Sequence, residues 1–206
     1  MPAPTAISQT GIINKAQILL GQSKRFTELL DTDQKAVDYQ TLWPIAVRSA
    51  LALHPWNFAI RRFKVNPDTV APDFGWAYRY KLPPAVIRYL PWSRDAAEWF
   101  DGEVEGGYVL TNQGSSILIR CIVLVEDLSL WSALFADVMA YTLAMESCEG
   151  STSKRGLYED LTNGREDVLA KARRADALEN GNRRAVRPMT ASSWASARYR
   201  RNGWRG

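Results

Sequence analysis

"GYVLTNQGSSILIRCIVLV", residues 107–125, decides how this chain folds. Aliphatic and β-branched residues on either side of Asn112-Gln113-Gly114-Ser115 predict two strands joined by a turn, so the stretch reads as a β-hairpin. From about residue 60 to residue 125, short extended segments are split by Pro67, Pro72, Pro83, Pro84, Pro91 and the Gly106-Gly107 pair. Within that region "PPAVIRYL", residues 83–90, places proline where the first turn of a helix tolerates it, and predicts one or two helical turns. "GEVEGG", residues 102–107, lacks the lysine and the setting of a phosphate loop and reads as the approach to a hairpin.

On both sides of this region the apolar residues return at helical spacing. Ile12, Ile13, Ala16, Leu19 and Leu20 predict an amphipathic helix over about 8–20, with Gly21 as its stop. Thr32 or Asp33 caps a second helix over about 33–53, which Pro44 should kink or break by removing the bond to the Gln40 carbonyl. Over about 127–148, Trp131, Leu134, Phe135, Val138, Thr142 and Met145 form one stripe, widened by Leu130, Met139 and Tyr141. A helix apolar over so much of its circumference is covered on more than one side, so this is the expected central helix. A more polar helix over about 153–180 carries Leu157, Leu161, Val168, Ala172 and Ala175 on one stripe, with Gly181 closing it. The fold class expected is therefore mainly α: a bundle of about four helices, a small β-hairpin-containing insertion over about 60–125, and an extended C-terminal arm. Residues 1–182 form the body and 183–206 the arm.

With 206 residues the chain has length for one sizeable core. Two cysteines, Cys121 and Cys148, are too few for a disulfide framework or a four-thiolate metal site and favour a reducing compartment. No signal-peptide pattern and no apolar run of membrane-spanning length is present. No cofactor and no membrane partner is expected.

The net charge of +4 hides a split. From Lys171 onward ten bases face Asp176 and Glu179 alone, a local excess of +8 that leaves −4 for the first 170 residues. After Asn182 the chain reads "RRAVRPMTASSWASARYRRNGWRG": Arg183, Arg184, Arg187, Arg198, Arg200, Arg201 and Arg205, with Trp194, Tyr199 and Trp204 between them and no acid. Such a segment has too little apolar area to offset its own ordering entropy, so it needs a partner to become ordered. Three readings stand: an arm that wraps a partner protein, phosphate neutralisation with aromatic stacking on nucleic acid, or a solvated tail.

Enzyme chemistry finds little support. His54 is the only histidine, lies where a helix ends and has no identified nucleophile or orienting acid, so it reads as structural. Asp31/Asp33, Glu126/Asp127 and Glu166/Asp167 read as loop or helix-start acids that complement a helix dipole. Trp43, Trp56, Phe58, Trp131 and Phe135 read as core anchors, with Trp56 and Phe58 holding the strand that leaves the second helix against the third and Arg61 and Arg62 at its exposed end.

The order of several short elements resembles the opening of the tail tubular protein A family, the head-to-tail adaptors of tailed bacteriophages. An N-x-x-L-x-x-L-G-like helix runs from Asn14 to Gly21, with Gln17 where an aliphatic residue is common. Leu29 to Asp31 supplies a Leu-x-Asp segment, Trp56 to Ala59 a Trp-Asn-Phe-Ala element, and "YRYKLPPAVIRYL" an aromatic-Leu-Pro-Pro element. The likeness spans about residues 8–180; Pro44 and the arginine-rich end depart from it. What it implies is a non-enzymatic virion protein, assembled in the host cytoplasm, forming a closed ring of about twelve copies at the head-tail junction. The ring would dock on the portal protein through the arm, continue the channel for genomic DNA, and present a platform for the next tail protein, whether nozzle, stopper or tail terminator. The alternative is a small DNA-binding protein acting through the basic arm.

Overall fold

Local signals set most helix ends in the computed structural model, which describes residues 7–23, 25–29, 32–148 and 155–179. Helix α1 (Gln9–Leu19) begins where the Ser8 hydroxyl accepts from the Gly11 N–H. It ends where Gly21, at φ 69°, lets the Gln22 N–H reach back to the Gln17 carbonyl at 2.9 Å. Helix α2 (Gln34–Ala52) is capped by Asp33, whose carboxylate accepts from the Lys35 N–H. It runs through Pro44 without a break, held by the buried face of Ala36, Tyr39, Ala46, Val47, Ala50 and Leu51. The proline costs one bond on an exposed side, and packing on the other side holds the helix together.

After a 3-10 turn at Asn57–Ala59 come six strands: β1 (Ile60–Val65), β2 (Tyr78–Lys81), β3 (Val86–Leu90), β4 (Gly102–Glu105), β5 (Tyr108–Thr111) and β6 (Ile117–Val123). The helix expected at 127–148 is split. Asp127 caps a 3-10 turn at Leu128–Leu130, and hydrogen bonds from the Ser129 side chain and backbone hold its carboxyl below the usual carboxylate range. Helix α3 (Ala133–Cys148) starts afresh from Ser132, which accepts from the Phe135 N–H. Helix α4 (Arg155–Glu179) completes the described chain.

The expectation of a mainly α bundle with one hairpin is wrong: the fold is mixed α/β, with two three-stranded antiparallel sheets, β1-β6-β3 and β2-β5-β4. Segment 107–125 is not a hairpin, because β5 and β6 belong to different sheets and residues 112–116 carry the chain across from one to the other. The physical reason lies in β6. Its apolar residues divide along its length: Ile117, Ile119 and Cys121 pack against the second sheet, Ile122 and Val123 at the far end reach the core built on the helices, and Leu118 on the opposite face is 45% exposed. Paired beside β6, β5 would no longer be in the second sheet that covers Ile117, Ile119 and Cys121. Tyr80, fully buried, places its hydroxyl against the carbonyls of Gln113 and Ser115 and so pins the crossing. The true hairpin joins β4 to β5 through Gly106 and Gly107, at φ 54° and 84°, the conformation a two-residue turn of this hand requires. "PPAVIRYL" is strand β3 rather than helical turns; pairing of Val86 to Leu90 with β6 overrides the local proline signal.

Helix α3 is central, packed against α1, α2 and α4 and buried at ten of its positions. Two cores result: a large one between the helices and the inner end of β6, and a smaller one between the sheets built on Tyr80, Val109, Ile117, Ile119 and Cys121.

Gln17, on the buried face of α1, is fully enclosed, and neither its amide nitrogen nor its oxygen has a partner among the described residues. An unmet buried amide destabilises by about 1–3 kcal/mol, so Gln17→Leu should raise the unfolding free energy by that order in urea titration, with an unchanged m-value.

Candidate functional site

The five aromatic residues read as core anchors converge on one point. Trp43 stacks on Trp131 at 6.0 Å, Trp131 meets Phe135 edge-on at 4.8 Å, and Phe135 is met in turn by Trp56 at 5.0 Å and Phe58 at 4.9 Å. Trp56, Trp131 and Phe135 are buried, while Trp43 and Phe58 are partly so. Both buried indoles spend their N–H on backbone carbonyls, Trp56 on Ala50 and Trp131 on Val125. The cluster thus ties the C-terminal end of α2 and the start of β1 to α3, with Arg61 and Arg62 exposed beyond it.

Against this cluster lies a polar joint that sequence reasoning missed. Asp176, in the last turn of α4 and almost fully buried, accepts from the Asn57 N–H at 2.9 Å and lies 3.1 Å from His54 Nε2. The Asn57 amide donates to the Asp176 carbonyl at 2.6 Å, and Arg173 donates to the Leu53 carbonyl at 3.0 Å. His54 also meets the Trp56 ring edge-on at 4.8 Å. The His-Pro-Trp-Asn element is therefore a socket, and the end of α4 is plugged into it. A signal for Asp176 existed: it follows Ala172 by four residues and so occupies the buried stripe of α4, where an acid demands a partner.

The orienting acid that His54 lacked in sequence is thus present, but chemistry does not follow from it. A cleft of about 240 Å³ beside the joint is lined by Phe58, Leu130, Trp131, Leu134, Asp176 and Glu179. Ser132, the hydroxyl on that cleft, accepts from the Phe135 N–H as the cap of α3 and has a structural task already. A wider cleft of about 480 Å³ between α2 and α3 includes Lys35, Asp38, Tyr39 and Glu146, and burial pushes the Tyr39 phenol up, opposed by a hydrogen bond to Ser147. Among the described residues no cluster of three or more His, Cys, Asp or Glu side chains has the arrangement to hold a metal ion. No helix among them is long and apolar enough to cross a membrane.

Of the paired acids, Asp33 and Asp127 are caps, whereas Glu166 and Asp167 lie within α4 and not at its start; Arg165 pairs with Glu166 at 3.3 Å. The arm residues Arg183, Arg184, Arg187, Trp194, Arg198, Tyr199, Arg200, Arg201, Trp204 and Arg205 lie outside the described residues, as do Asp31 and the Gly181 stop. They follow in sequence from the turn of α4 that the socket grips.

No protein-family model matches the chain, and no curated protein matches it.

Asp176→Ala strands the Asn57 N–H and removes the acceptor facing His54, so it should destabilise by about 1–3 kcal/mol in urea, whereas His54→Gln keeps a donor for Asp176 and should cost less than 1 kcal/mol. Both cysteines are buried and unpaired, and burial pushes the Cys121 thiol up to about 11. With so little thiolate at neutral pH, Cys121 should not react with a disulfide reagent until urea unfolds the chain, and Cys148, enclosed in the helical core, should be shielded until the same point, when both become accessible.

Proposed function

We propose that this chain is a structural head-to-tail adaptor of a tailed phage or phage-like particle, forming a ring that docks on the portal and continues the DNA channel. The observation that carries this reading is where the residues of the resemblance fall in the fold. Asn14, which opens the first element, clamps the chain after α1 from both sides, donating to the Phe26 carbonyl and accepting from the Phe26 N–H, each at 2.8 Å. Asn57, at the heart of the Trp-Asn-Phe-Ala element, clamps α4 through its amide and its backbone N–H. Leu82 and Pro83 join β2 to β3, where the Leu82 N–H donates to the Gly107 carbonyl. Residues that hold distant segments together are the ones a shared fold must keep, whatever happens elsewhere in the sequence.

The charge split adds the functional half. A body of net −3, the chain's +4 less the arm's +7, followed by an arm of seven arginines and no acid is suited to link two different molecules, the arm to a partner and the body to its own copies. Arginine and the large aromatics, which alternate in the arm, are the side chains that dominate protein interfaces. The helices would form the body of the ring, the sheets would lie on its tail side, within reach of both the neighbouring copy and the tail, and residues 183–206 would reach the portal.

Truncation after Asn182 should leave rings intact by native mass spectrometry and abolish their attachment to purified portals. Attachment by the truncated protein would refute the arm's assignment. A monomeric chain that binds duplex DNA, with affinity falling steeply with salt, would replace the adaptor with the DNA-binding reading.

A further inference from the structure

We infer that the two sheets carry a head-to-tail contact between copies, in which Phe74 of one chain seats in the groove between β3 and β4 of the next; the inference rests on the adaptor reading above and names one of its contacts. Phe74 is 89% exposed, an unusual position for a phenylalanine. It is not on a loose loop. Residues 66–77 are fixed at both ends: the Asp68 N–H donates to the Arg79 carbonyl at 2.8 Å, the Arg79 guanidinium pairs with the Asp68 carboxylate at 2.9 Å, and the Ala77 N–H donates to Asn112 at 3.0 Å. The Trp76 N–H closes the tip onto the Phe74 carbonyl at 3.0 Å, around Gly75 at φ 83°. An apolar side chain held in water on a stapled loop has already lost the conformational freedom that binding would otherwise remove.

The complementary surface is on the same molecule. Strands β3 and β4 are the outer strands of their sheets, and both border a groove of about 530 Å³ lined by Leu82, Pro83, Ile87, Tyr89 and Val104. Val104 is 48% exposed there on a strand whose every residue is open to solvent. The two surfaces differ in charge as well as shape. The loop carries Asp68 and Asp73 and no base, and Asp73, next to Phe74, has no ion-pair partner among the described residues. The groove carries Arg88, exposed and likewise unpaired among the described residues. The acids of β4, Glu103 and Glu105, alternate with Val104 and so point to the opposite face of the strand. A knob and a hole on two different surfaces of one chain make a heterologous contact, the kind that repeats around a ring.

The test uses the full chain, with assembly followed by native mass spectrometry and sedimentation, and secondary structure by circular dichroism. Phe74→Ala and Val104→Arg, at exposed positions, should keep the fold and weaken self-association about tenfold or more, as loss of an anchor does. Asp73→Arg should weaken it as well, and adding Arg88→Asp should restore it. Mixing an Asp73→Cys chain with an Arg88→Cys chain should give a disulfide-linked dimer that neither forms alone. Rings unchanged by these substitutions, or an Asp73→Arg loss that Arg88→Asp does not repair, would overturn the contact while leaving the adaptor reading in place. Loss of a downstream tail protein from rings that otherwise persist would give the knob to that partner and overturn the self-contact. A wild-type chain that stays monomeric with and without portals would overturn both.

Discussion

Strand β6 is the constraint on which the arrangement depends, because its buried apolar residues serve two cores at once. Ile117, Ile119 and Cys121 need the second sheet; Ile122 and Val123, further along the strand, need the helices. No single layer provides both, so β6 takes the middle of its own sheet and the chain crosses to a second sheet for β5. The rest follows from covering what remains. β1 and β3 flank β6, α2 packs against β3, and α1, α2 and α4 surround α3 because that helix has almost no polar face to offer water. Replacing either set with polar residues would remove the reason for one of the two cores.

The same logic explains what the sequence disclosed and what it withheld. The four helices were legible because each presents an apolar stripe of helical period and because Ser8, Asp33 and Gly21 carry out their capping roles locally. The sheets were not, since "ILIRCIVLV" looks the same whether its partner strand is its sequence neighbour or one arriving from residues 60–65. Period tells which face of a strand is apolar; it does not tell who covers it. "PPAVIRYL" failed in the reverse direction, with a local proline preference outweighed by pairing to β6 that no local window contains. Pro44 failed likewise, the packed side of α2 outweighing one absent backbone bond.

At the site the aromatic anchors were legible and the polar joint was not. Large apolar side chains announce burial by composition alone. A hydrogen-bonded joint needs two addresses, and Asp176 lies 122 positions from His54 and 119 from Asn57 in sequence. Only the misplaced acid in the apolar stripe of α4 hinted that a partner existed. The basic arm was legible as composition; the grip of the socket on the last turn of α4, the turn that precedes it in sequence, was not.

That grip is where fold and function meet. A helix end gripped only by apolar contacts can slide and rotate at little cost, because such contacts are not directional. Asp176 offers two carboxylate oxygens to two different donors, and Asn57 returns a bond to the backbone of the same residue, so rotation of α4 by even part of a turn would break several hydrogen bonds at once. Arg173 adds a grip one turn earlier on the Leu53 carbonyl. The socket converts a flexible attachment point into one of fixed heading. If the chain assembles into the proposed ring, the last gripped turn of every α4 would face the same way relative to the symmetry axis, as the proposed attachment to one coaxial partner would require.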